Sequence, residues 1–481
     1  MASGTAKRSV TNVLWAYTSF MATKGLSLVS VIIIARYVDP VEFGLMAICL
    51  AVMVYFDILS QFGLSSGLIS AVDRIEETAS AVLVCGVTLS VALAGALWAS
   101  SGAIADFYGT PLLAELLSVT ALALVIRSFS MVHSAFLYKE LRLRDKVAPD
   151  VVRGLTKGVV SIVLAVQGFG VWALIYGYVA AAVAGTIALM VVRPWRPTRM
   201  PDFASIRYVM GYGSNLIGAE TINATPRILD NLLIGKVLGP AALGVYSLAF
   251  RIPELGIKSF TTVTGSVLHP MMSTLQDDGR ALRDYYYGSL RYCALIMFGV
   301  GAAIAVMSEP LIRVLYAPKW YDMIAPMQLI AIAFAISTLN MVPGKLLKAA
   351  RRTDLLFRVS LINLPFFVVV LWLAVPHGIV AVAGAQIGLA VLRFIPTYWV
   401  TKRVTEVTAR DTLAALLPGA SCAAAASVVA IAALQIDGPP FLQLVLGAGA
   451  FSVVHLMMLR MVAPEVVVLA VRVATRRRSV A

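Results

Sequence analysis

The sequence predicts an all-α membrane protein of about fourteen transmembrane helices, arranged as two parallel-repeat six-helix lobes and a C-terminal helix pair. Three observations predict this class. Hydrophobic residues make up 60% of the chain and charged residues 13%, with a mean hydropathy of +0.87, whereas soluble proteins carry roughly a quarter charged residues. Apolar runs of about 20 residues, the length that spans a bilayer as a helix, recur along the whole chain. An internal repeat divides most of the chain into two copies.

The apolar runs are separated by short loops and predict the membrane spans in order. Their predicted limits are 11–35, 44–70, 79–104, 112–135, 149–167, 171–192, 206–233, 245–270, 286–307, 322–343, 356–375, 379–400, 412–434 and 441–463. The loop regions are too short to build a sizeable domain on the outer side.

The repeat is clearest where I-A-R-Y-V-D-P-V-E-F-G-L-M-A, residues 34–47, returns as I-G-K-V-L-G-P-A-A-L-G-V-Y-S, residues 234–247. Further matches follow in the same order, and the aligned pairs are Pro40 with Pro240, Gly44 with Gly244, Tyr108 with Tyr316, Lys139 with Lys348, Asp145 with Asp354 and Gly170 with Gly378. Because each copy holds an even number of spans, both enter the membrane from the same side. We therefore predict lobes at 1–200 and 201–405, an extra hairpin at 406–463 and a basic cytoplasmic tail at 464–481.

The distribution of positive charge predicts the orientation. Most of the 39 lysines and arginines fall on the side of the N-terminus, and the four on the opposite side are Arg36, Lys236, Arg313 and Lys319. The positive-inside rule then places both termini in the cytoplasm. Topology and anionic membrane lipids explain the pI of about 9.7, so no nucleic-acid partner is predicted.

Charged residues inside the spans are the candidate functional residues. A charge at the bilayer centre costs roughly 3 kcal/mol, so it normally faces a cavity or a partner. Eleven are found, namely Lys24, Asp57, Arg127, Lys157, Glu220, Arg227, Asp230, Arg251, Glu254, Lys258 and Arg393. Basic residues outnumber acidic ones in this set, which favours an anionic substrate.

The basic members predicted to bind substrate are Lys24, Arg251, Lys258, Arg227 and Arg127. The acidic members, predicted to couple an ion or to pair helices, are Asp57, Glu220, Asp230 and Glu254. Structural ion pairing between helices is the alternative for all of them, and Arg127, Lys157 and Arg393 can instead snorkel toward a span end. No catalytic or metal-binding constellation and no phosphate-binding loop is found, so no cofactor is predicted. Whether H⁺, Na⁺ or no ion drives transport is left undecided.

Four motifs carry a family resemblance: A-R-Y-V-D-P-V-E-F-G after the first span, F-G-L-S-S-G-L-I ending the second, G-F-G-V-W-A-L before the sixth and L-Y-A-P-K-W after the ninth. With these, the chain resembles the Wzx-type polysaccharide flippases of the multidrug/oligosaccharidyl-lipid/polysaccharide (MOP) exporter superfamily. The resemblance implies alternating access and export of an undecaprenyl-pyrophosphate-linked oligosaccharide across the bacterial inner membrane. It also implies polysaccharide polymerase and glycosyltransferases as partners, and a lipid groove lined by spans 13 and 14. Related lipid II flippases have cavity basic residues in the matching helices, which carries over to Lys24 and to Arg251 or Lys258.

Two other classes compete with a flippase. A cation-coupled multidrug or metabolite exporter of the same superfamily has mainly twelve helices and favours acidic sites, whereas this interior is net basic. A membrane glycosyltransferase or polymerase would be an enzyme, and would normally need a large outer catalytic loop. The sequence therefore favours a transporter without enzymatic activity, and leaves the sugar composition of its substrate open.

Overall fold

The computed structural model describes residues 25–464, and this part of the chain is helical, with no β-strand. Side chains at 214–220, 222–223, 227, 258–259, 262–263 and 266 lie outside the description. The helices are α1 (Gly25–Tyr37), α2 (Pro40–Gln61), α3 (Leu64–Ser70), α4 (Ile75–Tyr108), α5 (Leu112–Ser128), α6 (Met131–Lys139), α7 (Val147–Val166), α8 (Val171–Val192), α9 (Phe203–Val237), α10 (Gly239–Ala249), α11 (Arg251–Thr274), α12 (Gly279–Leu315), α13 (Ile324–Ser337), α14 (Met341–Ala349), α15 (Thr353–Ala374), α16 (Ile379–Thr405), α17 (Ala409–Leu434) and α18 (Pro440–Val462). The predicted all-α class is confirmed.

Each predicted span from the second to the fourteenth coincides with one helix or with consecutive helices. Of the first, residues 25–35 lie in α1 and residues 11–24 lie outside the description. Nine helical segments of the described chain are long and apolar enough to cross a membrane, and ten if α5 and α6, bent by 45°, count as one span. The helices α7, α9 and α11 fall outside this set and carry charged residues in their interiors. The count of fourteen therefore stays a prediction.

The chain divides into two compact units, Met1–Ser247 and Leu248–Ala481. Within the first, α9 packs against α2, α3 and α4. Within the second, α12 packs against α13, α17 and α18, and α13 packs against α16. The predicted lobe, hairpin and tail boundaries stay predictions, and most of the tail lies outside the described residues.

Glu42 joins the start of α2 to the start of α8. Its Oε2 accepts a hydrogen bond from Asp39 N at 2.8 Å, and its Oε1 accepts one from Val171 N at 3.0 Å. Both N–H groups lie at helix N-termini, where backbone donors have no partner within the helix, so one carboxylate satisfies two of them. Position 170 requires glycine, because a Cβ there would lie 2.1 Å from Glu42 Oε1. The motifs A-R-Y-V-D-P-V-E-F-G and G-F-G-V-W-A-L, which both carry the family resemblance, are therefore in direct contact.

The repeated turn packs against its own duplicate. A Cβ built on Gly44 would lie 1.7 Å from the carbonyl oxygen of Pro240, and one built on Gly244 would lie 1.9 Å from that of Pro40. All four residues belong to the first compact unit. The contact is reciprocal, and the backbones approach so closely that only glycine fits at either position.

Residues 193–201, which link α8 to α9, are held by hydrogen bonds to acidic side chains. Arg193 Nη2 donates to Glu140 Oε1 at 2.6 Å, and Trp195 Nε1 donates to Glu76 Oε2 at 3.0 Å. Hydrogen bonding to Arg193 holds the pKa of Glu140 below its usual range, so this carboxylate is ionised at neutral pH. These contacts hold the segment between α8 and α9 against the ends of α4 and α6.

The C-terminal helices α17 and α18 pack on α12 through close backbone contacts. A Cβ on Gly419 would lie 2.6 Å from the carbonyl carbon of Ala294. Arg291 Nη2 donates to the carbonyl oxygen of Val462, at the end of α18, at 2.6 Å. The expected lipid groove along this pair stays a prediction.

Candidate functional site

Four helices of the first unit bring charged and polar side chains together. Arg127 Nη1, from α5, donates to Asp57 Oδ2, from α2, at 2.8 Å. The same Nη1 lies 3.4 Å from the hydroxyl oxygen of Tyr178, from α8, to which it donates. Lys157 Nζ, from α7, lies 5.9 Å from the centroid of the Tyr178 ring, within range of a cation–π interaction. We call these four residues the Asp57–Arg127 site.

The basic residues of the site lie away from the helix faces that carry exposed apolar side chains. Near Arg127, the exposed apolar residues are Leu122 of α5 and Phe129 just after it, and at 3.6 residues per turn Arg127 lies about 140° and about 160° around the helix from them. Exposed Leu112, at the opposite end of α5, lies about 60° around the helix from Arg127. On α7, Leu155 and Val159 are exposed, and Lys157 lies about 160° from each. In a membrane protein such exposed apolar faces meet lipid. Arg127 and Lys157 therefore point toward the protein interior.

The Arg127 guanidinium is only partly used by the protein. Its side chain is 36% exposed and that of Asp57 is 20% exposed. Its contact with Asp57 is made through Nη1 alone, and among the described residues Nε and Nη2 have no hydrogen-bond partner. Neither atom is among the fully buried polar atoms of the described chain that lack a partner. A planar group that normally binds oxyanions with two parallel N–H donors thus keeps donors accessible.

The second copy of the repeat lacks these residues. Aligning Gly170 with Gly378 places Tyr178 opposite Gln386, and aligning Gly44 with Gly244 places Asp57 opposite Ile257. The offsets of 208 and 209 given by the pairs Tyr108–Tyr316 and Lys139–Lys348 place Arg127 opposite Ala335 or Ile336. They place Lys157 opposite Pro365 or Phe366. The aligned positions of the second copy therefore carry uncharged residues.

The remaining predicted site residues are described only in part. Lys24 lies outside the described residues, as do the side chains of Glu220, Arg227 and Lys258. Asp230 is buried in α9, and its Oδ1 accepts a hydrogen bond from Asn231 N at 2.8 Å. Arg251 and Glu254 lie half-buried in the first turn of α11. Of the nine predicted residues, the structure places Asp57 and Arg127 in direct contact, and the roles of all nine stay predictions.

Two members of the site were not among the predicted site residues. Tyr178 was not singled out, because a tyrosine in an apolar span is normally a packing residue. Lys157 was one of the charges inside the spans, with snorkeling as an alternative, and its Nζ lies 5.9 Å from the centroid of the Tyr178 ring. Its central place in α7, opposite the apolar stripe of that helix, is the sequence signal that could have identified it. Arg393, which had the same alternative, lies 5.2 Å from the centroid of the Phe367 ring.

Known proteins resemble this chain in sequence. The family described as "Polysaccharide biosynthesis protein" matches residues 33–325. The lipopolysaccharide biosynthesis protein WzxC of Escherichia coli (strain K12) is 24% identical over 405 residues, 81% of this chain and 80% of that protein. The succinoglycan biosynthesis transport protein ExoT of Rhizobium meliloti (strain 1021) is 23% identical over 315 residues, 66% of this chain and 64% of that protein.

Among solved structures, the lipid II flippase MurJ in an inward closed conformation has a similar fold. The TM-score is 0.76 and the sequence identity 12%, and the match covers 94% of this chain and 100% of that one. At this identity the likeness establishes the fold alone.

Proposed function

The chain belongs to this polysaccharide biosynthesis family, and from that premise we propose that it is a flippase for a lipid-linked oligosaccharide, carried on undecaprenyl pyrophosphate, for exopolysaccharide, capsule or O-antigen synthesis. The observation that carries the proposal is the accessible guanidinium of Arg127, turned away from the apolar face of α5 and accompanied by Lys157. With Asp57 the three charges sum to +1. Such a site offers donors to an anionic group that must cross the membrane interior.

The transport step follows from these charges. Lys24, Arg251, Lys258 and Arg227 would hold the pyrophosphate, as the sequence predicts, and Arg127 would contribute from the first unit. The protein alternates between inward and outward access. A membrane potential that is negative inside favours outward movement of negative charge by about 2.3 kcal/mol per charge per 100 mV. Of the acidic residues predicted to couple an ion or to pair helices, Asp57 pairs with Arg127. Glu220, Asp230 and Glu254 are the remaining candidates for coupling to H⁺ or Na⁺.

The competing exporter of cationic drugs needs an available acidic residue in its cavity. Asp57 is already paired with Arg127 at 2.8 Å, so its charge is compensated within the protein. This pairing disfavours cation binding at Asp57 and favours the flippase.

Complementation of a deletion strain tests the function. Without the protein, lipid-linked repeat units should accumulate and surface polysaccharide should be lost, and the wild-type chain should restore export. Lys24→Ala, Arg251→Ala and Lys258→Ala should each reduce export, since one lost contact to a doubly charged group costs about 1.5 to 3 kcal/mol, or tenfold or more in affinity. Replacement by glutamate should abolish export. Arg313→Ala, which removes a partner of Glu309 at 2.8 Å, is the matched control and should export normally.

Wild-type export from all three glutamate variants, at equal membrane abundance, would contradict this assignment of pyrophosphate ligands. Failure of the wild-type chain to reduce the accumulated lipid-linked units would contradict the function itself.

The proposed location is the bacterial inner membrane, with both termini in the cytoplasm and anionic lipids bound at the basic loops and tail. A polysaccharide polymerase and glycosyltransferases are the proposed partners. Reporter fusions at Gly109, Phe169 and Asp437 are expected to report the outer side, because the loops rich in lysine and arginine lie on the opposite side. A cytoplasmic signal at two of these positions would overturn the proposed topology.

A further inference from the structure

We propose that Asp57 is a built-in competitor for a substrate oxyanion at Arg127, in a subsite of the first unit that Lys157 and Tyr178 complete. The inference rests on the proposed function and adds a role to it. In the empty site the Asp57 carboxylate compensates the charge of Arg127 through Nη1. When a phosphate or carboxylate group of the substrate arrives, it binds the remaining donors of Arg127 and meets the negative charge of Asp57.

The geometry leaves room for such an exchange. Asp57 holds Arg127 through one nitrogen, whereas a guanidinium can engage an oxyanion through two parallel donors. The Nε and Nη2 donors of Arg127 have no partner in the described part of the chain. An oxyanion at that edge would gain the stronger, two-donor arrangement that Asp57 does not have.

Tyr178 and Lys157 supply the rest of the subsite. The Tyr178 hydroxyl accepts from Arg127 at 3.4 Å, and among the described residues its own proton has no acceptor, so it can donate to a bound oxyanion. Lys157 lies on the ring face of the same tyrosine and adds a second positive charge. A phosphate or a sugar carboxylate would therefore meet three groups from three helices.

A carboxylate that competes with the substrate, as proposed for Asp57, would help a transporter to release its substrate. Without Asp57, Arg127 would lose its ion-pair partner in the empty protein and would bind an anion more tightly. A flippase must also release its substrate, and a fixed carboxylate beside the site weakens the bound state by like-charge repulsion. The absence of all three charges at the equivalent positions of the second copy fits a role in transport more than one in helix assembly.

Binding to the purified full-length protein tests the inference. Inorganic pyrophosphate and glucuronic acid are titrated separately by calorimetry, so that the two probes distinguish a phosphate group from a sugar carboxylate. We expect Asp57→Asn to tighten binding of at least one probe about tenfold, which corresponds to one charge–charge interaction of 1.4 kcal/mol. Arg127→Gln should weaken binding of the same probe by at least as much, and Tyr178→Phe severalfold. Glu140→Gln, which removes an acidic partner of Arg193 with the same change in net charge, should leave this affinity unchanged.

Transport and folding measurements separate the outcomes. Asp57→Asn should lower turnover while it lowers the substrate concentration for half-maximal transport, a combination that a purely structural residue would not give. Unchanged or weaker binding by a folded Asp57→Asn variant, or no binding of either probe to the wild-type protein, would overturn the inference. If the Asp57→Asn variant does not fold, the Tyr178→Phe variant tests the subsite instead, because it removes only a hydroxyl group. Unaltered binding of both probes by Tyr178→Phe would exclude the subsite. If wild-type complementation still succeeds in these cases, the flippase function stands without the subsite.

Discussion

Replacing Gly44 with alanine is expected to abolish export and to lower the thermal stability of the detergent-solubilised protein. The new Cβ would lie 1.7 Å from the Pro240 carbonyl oxygen, and a backbone atom cannot turn aside as the end of a side chain can. Overpacking of a core typically costs 1–3 kcal/mol, and a clash between two backbones should reach at least the upper end of about 3 kcal/mol. Gly244→Ala should behave alike, because its Cβ would lie 1.9 Å from the Pro40 carbonyl oxygen. Thermal unfolding monitored by size-exclusion chromatography, together with the export assay, measures both effects.

Gly102 provides the matched control. It lies within α4, and a Cβ there would meet nothing within 4 Å. Alanine is the better helix former by about 0.5–1 kcal/mol, so Gly102→Ala should keep or raise stability and keep export. Gly44→Ala and Gly244→Ala are thus expected to lower stability, whereas Gly102→Ala is not. Equal stability of the Gly44→Ala, Gly244→Ala and wild-type proteins would contradict the close contact between the duplicated turns.

The positions of the helices could be read from hydropathy, but their ends and breaks could not. The second predicted span, 44–70, is two helices, because Phe62 and Gly63 both adopt left-handed backbone conformations with φ of 38° and 63°. A helix break made of apolar residues leaves the averaged hydropathy of the span unchanged, so hydropathy does not reveal it. The predicted span 286–307 lies inside the longer α12, Gly279–Leu315, whose ends carry charged residues that continue the helix beyond its apolar part.

The membership of the candidate site was partly predictable, and its pairing was not. Asp57 and Arg127 stand out as charges in apolar runs, but 70 residues separate them. Their contact depends on how α2 and α5 pack, which no local spacing encodes. The charges of α9 and α11 likewise stand out as charges inside predicted spans, and their positions in the sequence say nothing about partners on other helices. The contact between the Pro40–Gly44 and Pro240–Gly244 turns was likewise absent from the repeat pattern, which identifies equivalent residues without placing them together.

Exchanging the two charges of the Asp57–Arg127 pair is expected to restore protein abundance without restoring export. Arg127→Asp alone would place two carboxylates together, and removal of one partner from a fully buried pair costs about 3–5 kcal/mol. Because Arg127 is 36% exposed, solvent screening should reduce this to about 2 kcal/mol, enough to lower membrane abundance severalfold. Adding Asp57→Arg re-forms the ion pair and should recover abundance. Export should stay low, because the guanidinium now extends from α2, away from its place between Tyr178 and the Lys157 helix.

The ion pair between Arg193 and Glu140 shows what a purely structural pair should do in the same experiment. It joins the linker to the end of α6 at 2.6 Å and lies outside the proposed binding site. Exchanging its charges re-forms the ion pair and should restore abundance and export together, because neither side chain lies in the proposed binding site. If the Asp57→Arg, Arg127→Asp double variant also exports at the wild-type rate, the pair at the candidate site is a helix-pairing device, and the accessible donors of Arg127 take no part in substrate binding. Export that is lost at full abundance, by contrast, requires that the position of the positive charge matters, which is the property that distinguishes a ligand-binding arginine from a structural one.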